Sequence, residues 1–477
     1  MSAFADYEEH DALGLASLVR RGDVSAHELL EAAIQRVEAR NPAVNAVVMK
    51  LYDLGKKTID EGLPDGPFCG VPFLMKDLTS SVAGVPMTRG SRFLADTPPS
   101  PADSEHVKRL KRAGLVIFGR TNTPELGLSL SCEPQLYGAT HNPWDLALTP
   151  GGSSGGAAAA VAARMAPMAH ASDAFGSIRA PAACCGLVGL KPTRSRNTFA
   201  PFFGEGMGGL ATEHAVSLTL RDSAALLDAT RGPSPGDPYV APLPARPFFE
   251  EIGADPGKLR IAWTTKAPNG AVVDAECLEA LARTANLCVE LGHHVEECDP
   301  EIDGAAVAPT FLTLASTNMA VNLAAHPTTG QPARPDQVER ISWLTAEHGR
   351  KTGAAEYMRA TQTAHRIGRQ MAAFHANWDV LLTPGLATPP VKLGWINTMT
   401  DDLQEYWRRV FAFSPFTVWC NLSGQPALML PLGQGADGVP VASQLIGRYG
   451  DEATLFRLGS QLEAARPWFH RKPAVCA

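Results

Sequence analysis

Thr149-Pro150-Gly151-Gly152-Ser153-Ser154-Gly155-Gly156 runs directly into Ala157-Ala158-Ala159-Ala160-Val161-Ala162-Ala163-Arg164-Met165. The second part predicts a helix over Gly155 to Met165 with almost no polar face, and a helix apolar all round belongs in the interior. The glycines and serines before it sit where a helix leaves backbone N–H groups without partners. Consecutive glycines let the backbone approach a ligand closely, and a helix N-terminus favours a developing negative charge. A Gly-rich turn is the plain alternative.

Outward from this stretch, strand and helix patterns alternate. Val71 to Met75 reads as a buried strand, Ser104 to Ala113 as a helix and Leu115 to Gly119 as another strand, an order that favours parallel pairing with a crossover. Toward the amino terminus, helices are expected over Ala12 to Arg20 and Ser25 to Ala39. Ser25-Ala26-His27-Glu28 opens the second as a capping box, and Asn45 to Met49 is a short strand. Pro233, Pro235, Pro238, Pro242, Pro244 and Pro247 mark the best internal linker. Beyond it come a strand over Lys258 to Trp263, a helix over Ala275 to Leu291, a mainly helical excursion at about 305–377 and a strand over Asp379 to Pro384. The pattern predicts one α/β domain over residues 1–477, a large, twisted, mostly parallel or mixed sheet with helices on both faces and the Gly155 to Met165 helix near its centre.

The 477 residues are 45% hydrophobic and 19% charged, which provides a sizeable core and too little charge for disorder. A formal net charge of −7 gives nucleic acid little to bind, and the basic run Lys108 to Arg112 reads as a solvated helix face. The opening residues lack the layout of a signal peptide, and nothing offers a membrane span. Nine scattered cysteines form neither a disulfide ladder nor a zinc pair, so a cytoplasmic protein with reduced thiols is expected. Cys184 and Cys185 read as packing and His293-His294 as a solvated pair. No ligand cluster suggests a metal, and no cofactor is implied.

Two further segments carry chemistry. In Ser172-Asp173-Ala174-Phe175-Gly176-Ser177-Ile178-Arg179, a Ser after a tight turn can be held beside backbone N–H groups that form an oxyanion hole. Asp173 and Arg179 flank it as an ion pair that fixes the turn. In Gly70-Val71-Pro72-Phe73-Leu74-Met75-Lys76-Asp77, a lone Lys ends an apolar strand, and desolvation lowers a Lys pKa toward that of a working base.

Together these segments, followed by Pro181-Ala182-Ala183-Cys184-Cys185-Gly186 and Gly189-Leu190-Lys191-Pro192-Thr193, resemble the amidase signature family in order and spacing. The likeness reaches Asn421-Leu422-Ser423-Gly424-Gln425-Pro426 and Gln444-Leu445-Ile446-Gly447. It implies the amidase signature fold and hydrolysis of carboxylic amide C–N bonds through an acyl-enzyme. By the same resemblance Ser177 is the nucleophile, Ser153 a bridging serine preceded by a cis peptide, and Lys76 the base. The backbone of Ala174, Phe175, Gly176 and Ser177 forms the oxyanion hole, with Ser154, Asp173 and Arg179 in support. One departure stands out: the family's second Gly before the nucleophile is here Phe175, which either holds an allowed conformation or narrows the acyl side of the pocket.

Rival readings are weaker. Gly151 to Gly155 matches G-x-S-x-G, the nucleophile elbow of an α/β-hydrolase esterase, but no strand pattern precedes it; His214 or His348 would have to complete that triad. Gly189 to Thr193 lacks the full phosphate-loop pattern. The glutamine-hydrolysing A subunit of a tRNA-dependent amidotransferase continues differently after Lys191-Pro192-Thr193, where this chain reads Arg194-Ser195-Arg196-Asn197. A stand-alone enzyme is expected, acting with water on small linear, cyclic or aryl amides, with esters and carbamates open. Phe202, Phe203, Thr317, Asn318 and Trp419 are pocket candidates, and a homodimer is left open.

Overall fold

The computed structural model describes residues 4–476. Eleven strands form one sheet: β1 (Val47–Lys50), β2 (Pro72–Lys76), β3 (Val116–Thr121), β4 (Met168–Asp173), β5 (Val188–Lys191), β6 (Thr212–Ser217), β7 (Arg260–Trp263), β8 (His294–Glu297), β9 (Val380–Pro384), β10 (Ala427–Gln434) and β11 (Pro440–Gly447). Their spatial order is β1-β3-β2-β4-β6-β5-β10-β11-β9-β7-β8. The sheet is mixed. β2 runs parallel to both β3 and β4, and β7 parallel to β8 and β9, while the central pairings from β4 to β9 are antiparallel. Strands on both sides of the proline-rich stretch at 233–247 share this sheet.

Alternation along the strands builds two faces. Leu428, Leu430, Leu445, Val380, Leu382 and Ile261 pack into one apolar layer. Their chain neighbours Ala427, Ile446, Leu381 and Ala262 pack into another on the opposite side. The first layer is closed by Leu220 and Leu227 of the helix Leu220–Thr230, Leu281 of Ala275–Glu290, and Phe456 and Leu462 of Glu452–Ala465. The helix Gly155–Ala162 is buried at every position and belongs to the main core. Residues 304–374 hold the helices Gly304–Asn322, Arg340–Lys351 and Ala354–Phe374.

Local signals account for much of this. The Ser25 side chain accepts from Glu28 N and the Glu28 carboxylate accepts from Ser25 N, the reciprocal cap expected there. The helix Glu105–Arg112 buries Val107 and Leu110. Its basic face is engaged rather than merely solvated. Arg109 donates to the carbonyls of Thr230, Gly232 and Pro233, and Lys111 and Arg112 pair with Asp103 and Glu105. His293 is likewise buried, joined to Gln461 and to the Leu259 amide, whereas His294 is exposed beside Glu296. No helix among the described residues is long and apolar enough to cross a membrane.

Candidate active site

Because β2 and β4 are parallel neighbours, their carboxyl ends lie on the same edge of the sheet, where open α/β sheets place ligands. Lys76 ends β2, and Ser172 and Asp173 end β4. Ser153 and Ser154 stand at the start of the buried Gly155–Ala162 helix. The Ser154 amide donates to the Ser177 carbonyl at 3.2 Å, which ties the two serine segments together. The Gly152–Ser153 peptide is cis. The glycines after the serines have a different role from the ligand approach expected of them. A Cβ on Gly156 would lie 2.4 Å from the Asn122 backbone nitrogen, so this Gly lets the helix press against the strand-end loop after β3.

Lys76 is fully buried. Its Nζ lies 2.7 Å from Ser153 Oγ, 2.9 Å from Ser154 Oγ and 3.1 Å from Ser172 Oγ. Burial brings its pKa down to about 7, and the negative ends of Cys132, Asp173 and Glu213 only partly oppose that fall. Near neutrality Lys76 is therefore balanced between amine and ammonium, with three hydroxyls arranged to serve either form. Burial in β5 brings Lys191 down to about 7 as well, but its Nζ donates to the Pro192 carbonyl at 2.8 Å and bonds no serine hydroxyl among the described residues.

The turn after β4 is held by Asp173. Its carboxylate accepts from Arg179 Nε and Nη2, each at 3.0 Å, from Asn421 Nδ2 at 2.9 Å, and from the Ile178 and Arg179 amides. Burial alone would raise this carboxyl, yet Arg179 and these hydrogen bonds keep it ionised, at about 2. Arg179 also donates to Thr417 O, Gln444 Oε1 and Asn421 Oδ1, so the family-like segments near the chain's end converge on this one guanidinium. Asp173 thus takes the amides of residues 178 and 179, while those of Ala174, Phe175, Gly176 and Ser177 are committed to no partner among the described residues. Gly176 has φ 152°, and a Cβ there would sit 2.6 Å from Thr417 Oγ1. Phe175 holds a negative φ, and its buried ring packs edge-on against Phe311 at 4.7 Å and Phe411 at 5.1 Å. Both outcomes foreseen for Phe175 therefore hold: its backbone is allowed and its ring narrows the site.

Ser153, Ser172, Asp173 and Ser177 line one cavity of about 170 Å³, with Arg89, Glu205 and Asn318 as polar groups on its walls. A smaller, mostly apolar lobe shares Ser177, Met207 and Asn318 with it and is walled by Phe175, Phe311, Met319 and Trp407. Of the pocket residues named from sequence, Phe203 and Asn318 reach the cavity. Phe202 is exposed, Thr317 turns its hydroxyl back to Thr313 O at 2.5 Å, and Trp419 is buried against Phe416 elsewhere. Phe311, Trp407 and Phe411 were missed. The Trp407–Phe411 spacing of four marks the apolar face of the helix Leu403–Phe413, and that was the available signal. A larger cavity of about 710 Å³, lined by Arg194, His365 and Arg369, contains none of these groups.

The elbow reading fails on context. No strand leads into Ser153; His214 bonds Ser223 Oγ at 2.8 Å and His348 is exposed on the helix Arg340–Lys351.

Comparison with known proteins gives the family. The family model described as Amidase matches residues 28–456. The chain is 38% identical over 485 aligned residues to the 6-aminohexanoate-cyclic-dimer hydrolase of Pseudomonas sp. (strain NK87), covering 98% of this chain and 96% of that one. A solved structure of 6-aminohexanoate cyclic dimer hydrolase complexed with substrate superposes with TM-score 0.95 at 35% identity, over 99% of this chain and 100% of that one. A bacterial aryl acylamidase of the amidase signature family superposes with TM-score 0.87 at 25% identity, over 96% of each chain. The chain belongs to the amidase signature family and is an amide-cleaving hydrolase.

Proposed function

We propose that Lys76, Ser153 and Ser177 form the catalytic relay of a stand-alone serine amidohydrolase whose substrates are small linear, cyclic or aryl amides. The observation that carries this reading is Lys76 Nζ, buried and 2.7 Å from Ser153 Oγ, in a cavity that Ser153 shares with Ser177. In the reaction, Ser177 Oγ attacks the amide carbonyl carbon and gives its proton to Ser153 Oγ, whose own proton passes to neutral Lys76. Ser153 can serve both ways because a hydroxyl donates and accepts. Charge developing on the carbonyl oxygen meets the amides of residues 174–177. The relay then runs backwards to protonate the leaving nitrogen, the C–N bond breaks, and an ester on Ser177 remains. Water, deprotonated by the same relay, hydrolyses that ester. Hydroxyl contacts of this kind tighten in the substrate complex, which fits the absence of a Ser153–Ser177 hydrogen bond among the described residues.

The dimensions favour a compact acyl group. The apolar lobe behind Ser177, closed by Phe175 and Trp407, suits an aliphatic or aryl unit, while Arg89, Glu205 and Asn318 suit the polar ends of a short amide oligomer. The likeness to cyclic-dimer hydrolases and an aryl acylamidase points the same way. We place the protein in the cytoplasm, as one domain over residues 1–477, on the strength of its free thiols and continuous sheet. A product-release assay over linear, cyclic and aryl amides, with glutamine as a further substrate and no partner chain added, tests the reading. Turnover of small amides supports it; uniform inactivity of a folded enzyme, or activity on glutamine alone, refutes it.

A further inference from the structure

His106, His170 and Glu213 converge from the helix Glu105–Arg112, from β4 and from β6. All three are buried, and one ligating atom of each lies within 4.8 Å of the other two. None of them lines the cavity that holds Ser177, and the reaction proposed above uses none of them.

The two imidazoles are not satisfied by protein. Both ring nitrogens of His106 and both of His170 lack a hydrogen-bond partner among the described residues. An imidazole always carries at least one N–H, and a buried donor or acceptor left unpaired forfeits its hydration with nothing in return. The rings do not relieve this by stacking on each other, since their planes are tilted by 52° with centroids 5.4 Å apart. His170 Nε2 is 3.4 Å from Glu213 Oε1 but does not meet hydrogen-bond geometry toward it. That separation has another meaning: a tetrahedron drawn with bonds of about 2.0–2.1 Å has edges of roughly 3.4 Å. Ser80 Oγ donates to the same Glu213 oxygen at 2.9 Å, the kind of outer hydrogen bond that orients a ligating carboxylate.

We propose that His106, His170 and Glu213 hold a divalent transition-metal ion of the zinc class. Two imidazoles and one carboxylate are a donor set that zinc accepts, with water in the remaining position. The ion satisfies both buried imidazoles and fastens the helix Glu105–Arg112 to the strand pair β4–β6, in which Glu213 stands opposite Ser172. Its role is structural support, because no ligand reaches the cavity.

The full chain is unfolded and refolded with Co²⁺, which enters zinc sites and reports a tetrahedral environment by visible d–d absorption, and metal content is measured after dialysis. About one ion per chain with that absorption is expected, falling below about a tenth of an ion in His106→Gln/His170→Gln. Should that variant not fold, X-ray absorption on the zinc-refolded parent decides the matter by itself. Nitrogen and oxygen ligands with an imidazole signature support the proposal, whereas sulfur ligands overturn it. A parent chain that refolds with less than about a tenth of an ion and no d–d band overturns it too, leaving the three residues as a protonic network. Undiminished metal in a folded double variant also overturns it.

Discussion

Ser154→Ala removes one of three hydroxyls around Lys76 Nζ without altering Ser153 or Ser177. A lysine ammonium carries three N–H donors, and Ser153, Ser154 and Ser172 stand at 2.7, 2.9 and 3.1 Å to receive them. In so dry a site a hydrogen bond from a charged donor contributes about 1.5–3 kcal/mol. The neutral amine bonds more weakly, so losing one acceptor penalises the charged form more. At about 1.36 kcal/mol per pH unit, the Lys76 pKa should fall by about 1–2 units. In the proposed relay the amine is the working form, so the unaltered enzyme should lose activity as pH drops through about 7. In Ser154→Ala the acidic limb of kcat/KM moves down by that same 1–2 units, roughly. Release of aniline from an anilide substrate, followed across the acid and neutral range, measures both limbs. The apparent value belongs to the coupled relay rather than to Lys76 alone. A limb that stays in place, or moves upward, refutes Lys76 as the base.

Three further outcomes follow from the same geometry. Arg179→Met strands the buried Asp173 carboxylate, and calorimetry should show a loss of about 3–5 kcal/mol; a change below about 1 kcal/mol would contradict the account of the turn. Phe175→Ala removes the ring between Phe311 and Phe411, costing about 3–5 kcal/mol of stability. Competition assays should show it favouring longer acyl groups by about tenfold or more. Ser153→Ala and Lys76→Ala should each cripple turnover while the chain still folds, and the double variant should be little worse than either; multiplied losses would argue against a shared relay.

How far the molecule could be read from its sequence follows from the range of the interactions. The capping box at Ser25, the all-apolar helix at Gly155 and the strand that delivers Lys76 are local patterns, and each formed where expected within a few residues. The β10–β11 hairpin escaped notice because Pro431 and Gly433 interrupt its apolar run and its partners β5 and β9 are distant in the chain. In the site, Lys76, Ser153, Ser154, Asp173, Ser177 and Arg179 lie in two short segments and a strand end, and it was the joint resemblance of these to the amidase signature family that named them. The walls were harder: Phe311 and Trp407 reach the lobe behind Ser177 only because the helices Gly304–Asn322 and Leu403–Phe413 fold over it. Trp419, a pocket candidate from the sequence, is buried with Phe416 instead. His106, His170 and Glu213 stand far apart in the chain; the pairing of β4 with β6 joins the last two, and the packing of the helix Glu105–Arg112 adds His106.

The central claim is that Ser177 is the nucleophile and Ser153 the bridge. Treating the enzyme with a serine-directed fluorophosphonate, digesting it and weighing the peptides tests this directly. One adduct is expected, on Ser177, whose formation slows as Lys76 becomes protonated and disappears in Ser177→Ala. An adduct on Ser153, or a labelled Ser177→Ala chain that still turns over amides, would contradict it.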